Sequence, residues 1–351
     1  MKKLLSLLFL STLLFMTSCK DDDEPTAEPT VEEMQQDIHQ TFDGFVTCMQ
    51  GYENGQFSTA VQNFLMMSNG EVNEDFAEML TDELGEFDFD LEDFDMSGNS
   101  GVYTWSNVTE MWTYVSNTGN TLVFNFPSSS TGSVNNTSLT VNHYEMEPYT
   151  VDQNTDYFPT RFLASVEMDG NEIFNIDLDN VTYRQNGDYI SPTNYDLEIR
   201  TAPMTHLFTL HENSAQEFEF NYSSSNDNSC NTTVSLEAST VLSDYVLFED
   251  FEDFAHISGT VGHDALEIRF DVEANNLSNI DDPTVAQINQ LVEAKVYLNN
   301  SEIGELEVAD ENDDTVIYIV FNDGTRENVE NYVNDDLADE LEAVFSNYIE
   351  N

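Results

Sequence analysis

The sequence predicts an α+β protein: a large antiparallel meandering β-sheet with a helical N-terminal cap and a C-terminal amphipathic helix. Three observations predict it. Apolar residues repeat with helical spacing between Val31 and Met49, recur at every second position after Gly101, and return to helical spacing from Val329.

In the first segment Val31, Met34, Ile38, Phe42, Phe45, Val46 and Met49 share one helical face. Phe57, Val61, Phe64 and Leu65 predict a second helix, and Phe76, Met79 and Leu80 a third, with Gly51, Gly55 and Gly70 as breaks. Residues 31–85 therefore form the cap. From about residue 100 the period is two: Leu122, Phe124 and Phe126, then Phe174, Ile176 and Leu178, then Phe218, Phe220 and Tyr222. Leu266, Ile268, Phe270 and Val272 alternate with Glu267, Arg269, Asp271 and Glu273, the pattern of a strand with one dry and one wet face. Short turns such as Asp169-Gly170 and Asn299-Asn300 join the strands, so 100–325 reads as a meander. Val316–Phe321 is apolar on both faces and predicts cover on both sides. Val329, Tyr332, Val333, Leu337, Leu341, Val344, Phe345 and Tyr348 form the stripe of a helix over 327–350. Together, 31–351 predict one α+β domain. Within it, the segments starting at Val166, Val261 and Val296 share V-x-x-[D/N]-x-x-E-I, a strand, a tight turn and a second strand.

The chain has 351 residues, with 9 Lys+Arg against 68 Asp+Glu and a formal charge of −59. Nucleic-acid binding is excluded as a function class, because neutralising phosphates requires clustered cations. An apolar fraction of 40% also excludes a wholly disordered chain.

Lys2 and Lys3, the apolar run Leu4–Phe15 and the small residues before Cys19 form a secretory signal over 1–18, too short for the roughly 20 residues of a spanning helix. Met16-Thr17-Ser18-Cys19 resembles the lipobox of bacterial lipoproteins, with Met16 where Leu is usual. The resemblance implies lipidation of Cys19, and several acyl chains hold a protein stably on a membrane where one does not. Cys19-Lys20-Asp21-Asp22-Asp23-Glu24 resembles the acidic export signal of Bacteroidota surface lipoproteins, and residues 19–30 suit an acidic tether. The hairpins, with the ending Tyr318–Thr325 before an amphipathic helix, are similar to Bacteroidota outer-membrane lipoproteins of unknown function. What the resemblance implies is an outer-membrane, lipid-anchored protein facing the extracellular side; a periplasmic location is the alternative.

No catalytic signature is present. The six histidines show no H-E-x-x-H arrangement, and no cysteines pair with them at zinc spacing. His206 and His211, five apart in a strand, point to opposite faces. Acidic stretches at 86–95 and 249–253 raise calcium as the one candidate cofactor, with Asp93 and Asp95 the place to look, although a solvated acidic face is the favoured reading of both. Cys48 and Cys230 are a candidate disulfide, two separate thiols being the alternative. Tyr103, Trp105, Trp112 and Tyr114 form a candidate ligand-stacking patch or, alternatively, core.

The leading functional expectation is a non-enzymatic binding or interaction module, held by its lipid anchor and taking a glycan, lipid or protein ligand. The rivals are a carrier of lipid or another hydrophobic molecule in a cavity between sheet and helix, an acidic adhesin or surface-layer component, and a glycoside hydrolase. The last needs two carboxylates facing each other across a cleft at about 5–9.5 Å.

Removal of residues 1–18 takes away Lys2 and Lys3 and no acid, so the secreted chain repels itself more strongly still. Molar NaCl or millimolar Ca²⁺ should raise its thermal midpoint relative to salt-free buffer. An unchanged midpoint would show that self-repulsion does not limit its stability.

Overall fold

Thr30 begins the first helix with a reciprocal cap. Its backbone N–H donates to Glu33 Oε2 at 2.8 Å, and the Glu33 N–H donates to Thr30 Oγ1 at 3.3 Å. The bond from the Thr30 backbone N–H holds the Glu33 carboxyl below the usual carboxylate range. Helix α1, Val31–Glu53, follows and buries Ile38, Phe42 and Phe45 on one stripe.

The computed structural model describes residues 29–53, 100–106, 108–109, 111–128, 132–151, 154–186, 189–226, 229–241, 253–280, 283–311 and 314–332. The expected second and third cap helices, the greater part of the expected C-terminal helix, Cys19, Asp93 and Asp95 lie outside these residues.

Among the described residues, sixteen strands follow α1. The first eight are β1 (Gly101–Ser106), β2 (Met111–Ser116), β3 (Leu122–Phe126), β4 (Thr137–Val151), β5 (Asn154–Met168), β6 (Asn171–Asn186), β7 (Tyr189–Thr201) and β8 (Met204–Ser214). Then come β9 (Glu217–Asn226), β10 (Ser229–Thr240), β11 (Phe254–His263), β12 (Leu266–Val272), two short helices α2 (Ala274–Ser278) and α3 (Val285–Leu291), β13 (Val292–Leu298), β14 (Ser301–Glu311), β15 (Asp314–Phe321) and β16 (Arg326–Asn328). The architecture is the α+β meander that the periodicity predicts.

The chain divides into two compact units, one of residues 51–212 and one of residues 1–50 with 213–351. In the first unit the strand order is β2-β1-β3-β4-β5-β6-β7-β8. All described pairs there are antiparallel except β1 with β3, which is parallel and corrects the wholly antiparallel expectation. The cause is local. Strand β2 ends beside the start of β1, with Ser116 opposite Val102, and residues 117–121 step across to the other side of β1. Gly101 sits at this crossing, where a Cβ would come within 3.0 Å of the Ser116 carbonyl oxygen. Leu122, Phe124, Val141 and Ala164 form this unit's buried cluster.

In the second unit β9 to β16 lie in chain order, and their core faces meet the α1 stripe. Val261, Leu266, Ile268, Phe270, Val272, Val296, Leu298, Ile319 and Phe321 share one buried cluster with Ile38, Phe42 and Phe45. The alternation of Leu266–Val272 appears as a strictly alternating burial pattern in β12. In β15, Ile319 and Phe321 are buried while the opposite face is half-buried. Helices α2 and α3 were not anticipated. Thr284 caps α3 with a second reciprocal box through Gln287, and Asn289 then grips strand β14 through Val308 N–H and C=O at 2.9 and 2.8 Å. Where a helix was expected to begin after β15, Arg326–Asn328 instead pairs as β16 and Val329–Asn331 forms a single 3₁₀ turn.

The three V-x-x-[D/N]-x-x-E-I segments are three hairpins. Asp169, Asp264 and Asn299 occupy the turns at φ of 53°, 47° and 51°, the left-handed region that Asp and Asn tolerate. In two of them the bracket extends further than the motif. Asp169 donates its backbone N–H to Asn136 C=O and accepts from Asn136 Nδ2 at its Oδ1, and Asp264 repeats both contacts with Asn231.

Cys48 on α1 is bonded to Cys230, with their Cα atoms 5.8 Å apart. Cys230 lies at φ 60° in a register shift between β9 and β10. Beside it sits His263, 1% exposed, with Thr232 Oγ1 2.5 Å from Nδ1, Asp264 Oδ2 3.5 Å from Nε2, and the Phe45 ring edge-on. Burial pushes the His263 pKa down to about 4, with Asp264 opposing only in part.

Two outcomes follow from this corner. The disulfide closes a sequence separation of 182, which by loop entropy corresponds to at most about 5 kcal/mol. Reduction, or paired Cys48→Ser and Cys230→Ser substitution, should lower the thermal midpoint markedly; an unaltered midpoint would show that helix docking does not depend on the bond. His263 is neutral when folded and titrates normally when unfolded, so the stability it confers is complete above about pH 6.5. It is lost as pH falls towards 4, by up to about 3 kcal/mol. Melts between pH 7.5 and 4 should therefore fall more steeply for the native chain than for His263→Gln, and equal slopes would refute this.

Candidate functional site

In the unit built on α1, the start of the helix, the β13–β14 turn and the β15–β16 turn together border a groove of about 1310 Å³. Its floor is apolar: Leu298, Ile303 and Phe321 from the strands, with Val31 and Met34 from the helix. Ile303 reaches this position because β14 shifts register at that point, pairing Val296 with Gly304 and Tyr297 with Glu302. Gly304 follows because a Cβ there would collide with the Val320 carbonyl oxygen.

The groove wall is acidic. Glu32, Glu33, Asp37, Glu302 and Asp323 line it, and no Lys, Arg or His does. Two of these carboxylates shape the wall itself, since Glu33 caps α1 and Asp323 accepts the Thr325 backbone N–H at 2.8 Å. The latter bond holds the Asp323 pKa below its ordinary value. Glu302 accepts from Tyr297 Oη at 3.2 Å. Among the described residues, nothing bonds to the carboxylates of Glu32 and Asp37.

The described cations lie off this lining, although Lys295 Nζ stands 4.0 Å from Glu302 Oε2. Every described Lys and Arg lies on a strand and is paired: Arg161 with Asp179, Arg184 with Glu212, Arg200 with Glu198, Arg269 with Glu267, Lys295 with Glu293 and Arg326 with Glu307. Arg269 and Arg326 also lie over the rings of Tyr297 and Tyr318, at 3.9 and 4.5 Å. Among the described residues, no guanidinium or ammonium is left over to receive an anion.

The aromatic patch is placed as follows. Trp105 is buried and meets Trp112 edge-on, and Trp112 in turn meets Phe124 and Phe126. Tyr103 stacks on Phe124. Tyr114, 53% exposed, is the ring of the four that faces solvent. Their register, Tyr103 opposite Tyr114 and Trp105 opposite Trp112, puts all four on one sheet face.

The histidines are scattered. His206 and His211 do fall on opposite faces of β8, and His39 packs on Tyr332 at 4.6 Å. His256 is the exception: its Nε2 lies 3.0 Å from Asp271 Oδ1, and with Glu273 it forms a group whose donor atoms lie within 4.8 Å of one another. Sequence spacing could not find this trio, because β11 and β12 bring it together only through their cross-strand register.

No protein-family model, no curated protein and no solved structure matches the chain.

Proposed function

We propose that this chain is a lipid-anchored, surface-displayed binding module that takes a cationic peptide segment of a partner protein into the groove at the start of α1. Its work is non-covalent: the apolar floor receives an aliphatic or aromatic side chain, and Glu32 and Asp37 face a neighbouring Lys or Arg. The observation that carries the reading is the charge of the groove, five carboxylates and no cation. Such a wall attracts positive ligands and repels negative ones. The exhaustion of the described cations in ion pairs argues the same way, because an anionic ligand would find no counter-charge.

The groove also stands close to the proposed anchor. Pro29 is ten residues beyond Cys19, and a chain of that length spans at most about 36 Å. A partner held there would sit near the outer-membrane surface, as suits an assembly of membrane-associated proteins.

Fluorescence anisotropy with a Lys-Leu-Arg-Phe-type peptide, against the same peptide with Glu for Lys and Arg, tests the reading. The cationic peptide should bind the secreted chain with an affinity that falls as salt rises, and the acidic one should not bind. Glu32→Gln with Asp37→Asn should weaken binding by about tenfold, the effect of about 1.4 kcal/mol. Equal binding of both peptides, or no effect of the double substitution, would overturn it. Labelled palmitate should enter the native chain and not Cys19→Ala.

A further inference from the structure

From the geometry of β11 and β12 we infer a second site, for a divalent transition-metal ion, at His256, Asp271 and Glu273. It lies on the polar face of the sheet. Ile257 pairs with Val272 and Ser258 with Asp271, which puts His256 directly across from Glu273 and diagonal to Asp271. The three side chains thus rise from one face of one antiparallel pair, and no loop has to close to bring them together.

The distances suit a shared ion. Ligands bound at 2.0–2.2 Å stand roughly 3.0–3.4 Å from each other around an octahedral or tetrahedral centre. His256 Nε2 and Asp271 Oδ1 are 3.0 Å apart, and all three donor atoms fall within 4.8 Å. Exposed side chains close the remaining gap by rotation, and water completes the shell.

Glu273 is held in place from behind. Its carboxylate accepts from Asn276 Nδ2 at 3.2 Å, its backbone N–H donates to Leu291 C=O at 2.9 Å, and its own C=O accepts from Leu277 N–H at 3.0 Å. A carboxylate steadied by a second hydrogen bond is a common feature of metal ligands. The nearest cations along these strands are engaged elsewhere, Arg269 with Glu267 and Lys295 with Glu293 and Glu302, and no described Lys or Arg pairs with Asp271 or Glu273.

The donor chemistry selects the ion class. One imidazole with two carboxylates suits Zn²⁺, Mn²⁺ or Co²⁺, whereas Ca²⁺ and Mg²⁺ prefer oxygen alone. This sets the trio apart from the carboxylates spread over the rest of the surface, which offer diffuse attraction without nitrogen.

Isothermal titration of tag-free secreted chain with Zn²⁺, in several millimolar Ca²⁺ to occupy the general acidic surface, reads the site. One Zn²⁺ per chain should bind, and His256→Ala, Asp271→Asn and Glu273→Gln should each weaken it at least tenfold without lowering the metal-free thermal midpoint. Co²⁺ in place of Zn²⁺ should give visible d–d absorption that His256→Gln abolishes, a readout that does not depend on affinity. Zn²⁺ binding that Ca²⁺ eliminates, or that survives loss of His256, would overturn the inference. So would the absence of a Co²⁺ band in the native chain. None of these outcomes bears on the groove, whose residues lie on other elements.

Discussion

Antiparallel register, fixed at tight turns, is the constraint on which the rest of this structure depends. A strand shifted by one residue turns every side chain to the wrong face. Asp169, Asp264 and Asn299 accept left-handed backbone at the turns, and Asn136 and Asn231 tie two of these turns to the preceding hairpin. With register set, Leu266, Ile268, Phe270 and Val272 face α1 while Glu267, Arg269, Asp271 and Glu273 face water. Both proposed sites inherit this. The groove depends on the register shift that brings Ile303 to its floor, and the trio depends on the pairing of Ile257 with Val272.

Charge is distributed with the same economy. Exposed ion pairs contribute little to stability, typically about 0–1 kcal/mol each. Their importance here is one of allocation. The described cations are spent on strands, beside carboxylates and over tyrosine rings, so the wall at the start of α1 stays uniformly acidic. A chain of charge −59 attracts cations everywhere; a groove with an apolar floor converts that general attraction into a place where a particular cationic surface can also bury an apolar side chain.

The helix that forms one wall is fastened at both ends by unlike means. At its start, Thr30 and Glu33 satisfy each other's backbone donors. Further along, Phe45 meets the buried His263 and Cys48 is joined to Cys230. A buried neutral histidine next to a disulfide makes this corner sensitive to acid and to reductant, two conditions met differently inside and outside a cell.

What the sequence determined by itself was local. The stripe from Val31 to Phe45, the alternation in Leu266–Val272, the left-handed turns and the class α+β were legible, because each follows from the side-chain period of a single element. Cys48 and Cys230 were legible as a pairing to test, but spacing alone left open two separate thiols. The parallel pairing of β1 with β3, the short helices α2 and α3, and the 3₁₀ turn at Val329–Asn331 were not. Each is settled by competition between a weak local preference and the packing around it, as when Asn289 completes the hydrogen bonds of Val308. The groove and the His256 trio were beyond sequence reading for a stricter reason. Their members are far apart in the chain and meet only across strands or between a helix and distant turns, and pattern within a segment holds no information about such meetings; tertiary structure alone supplies it.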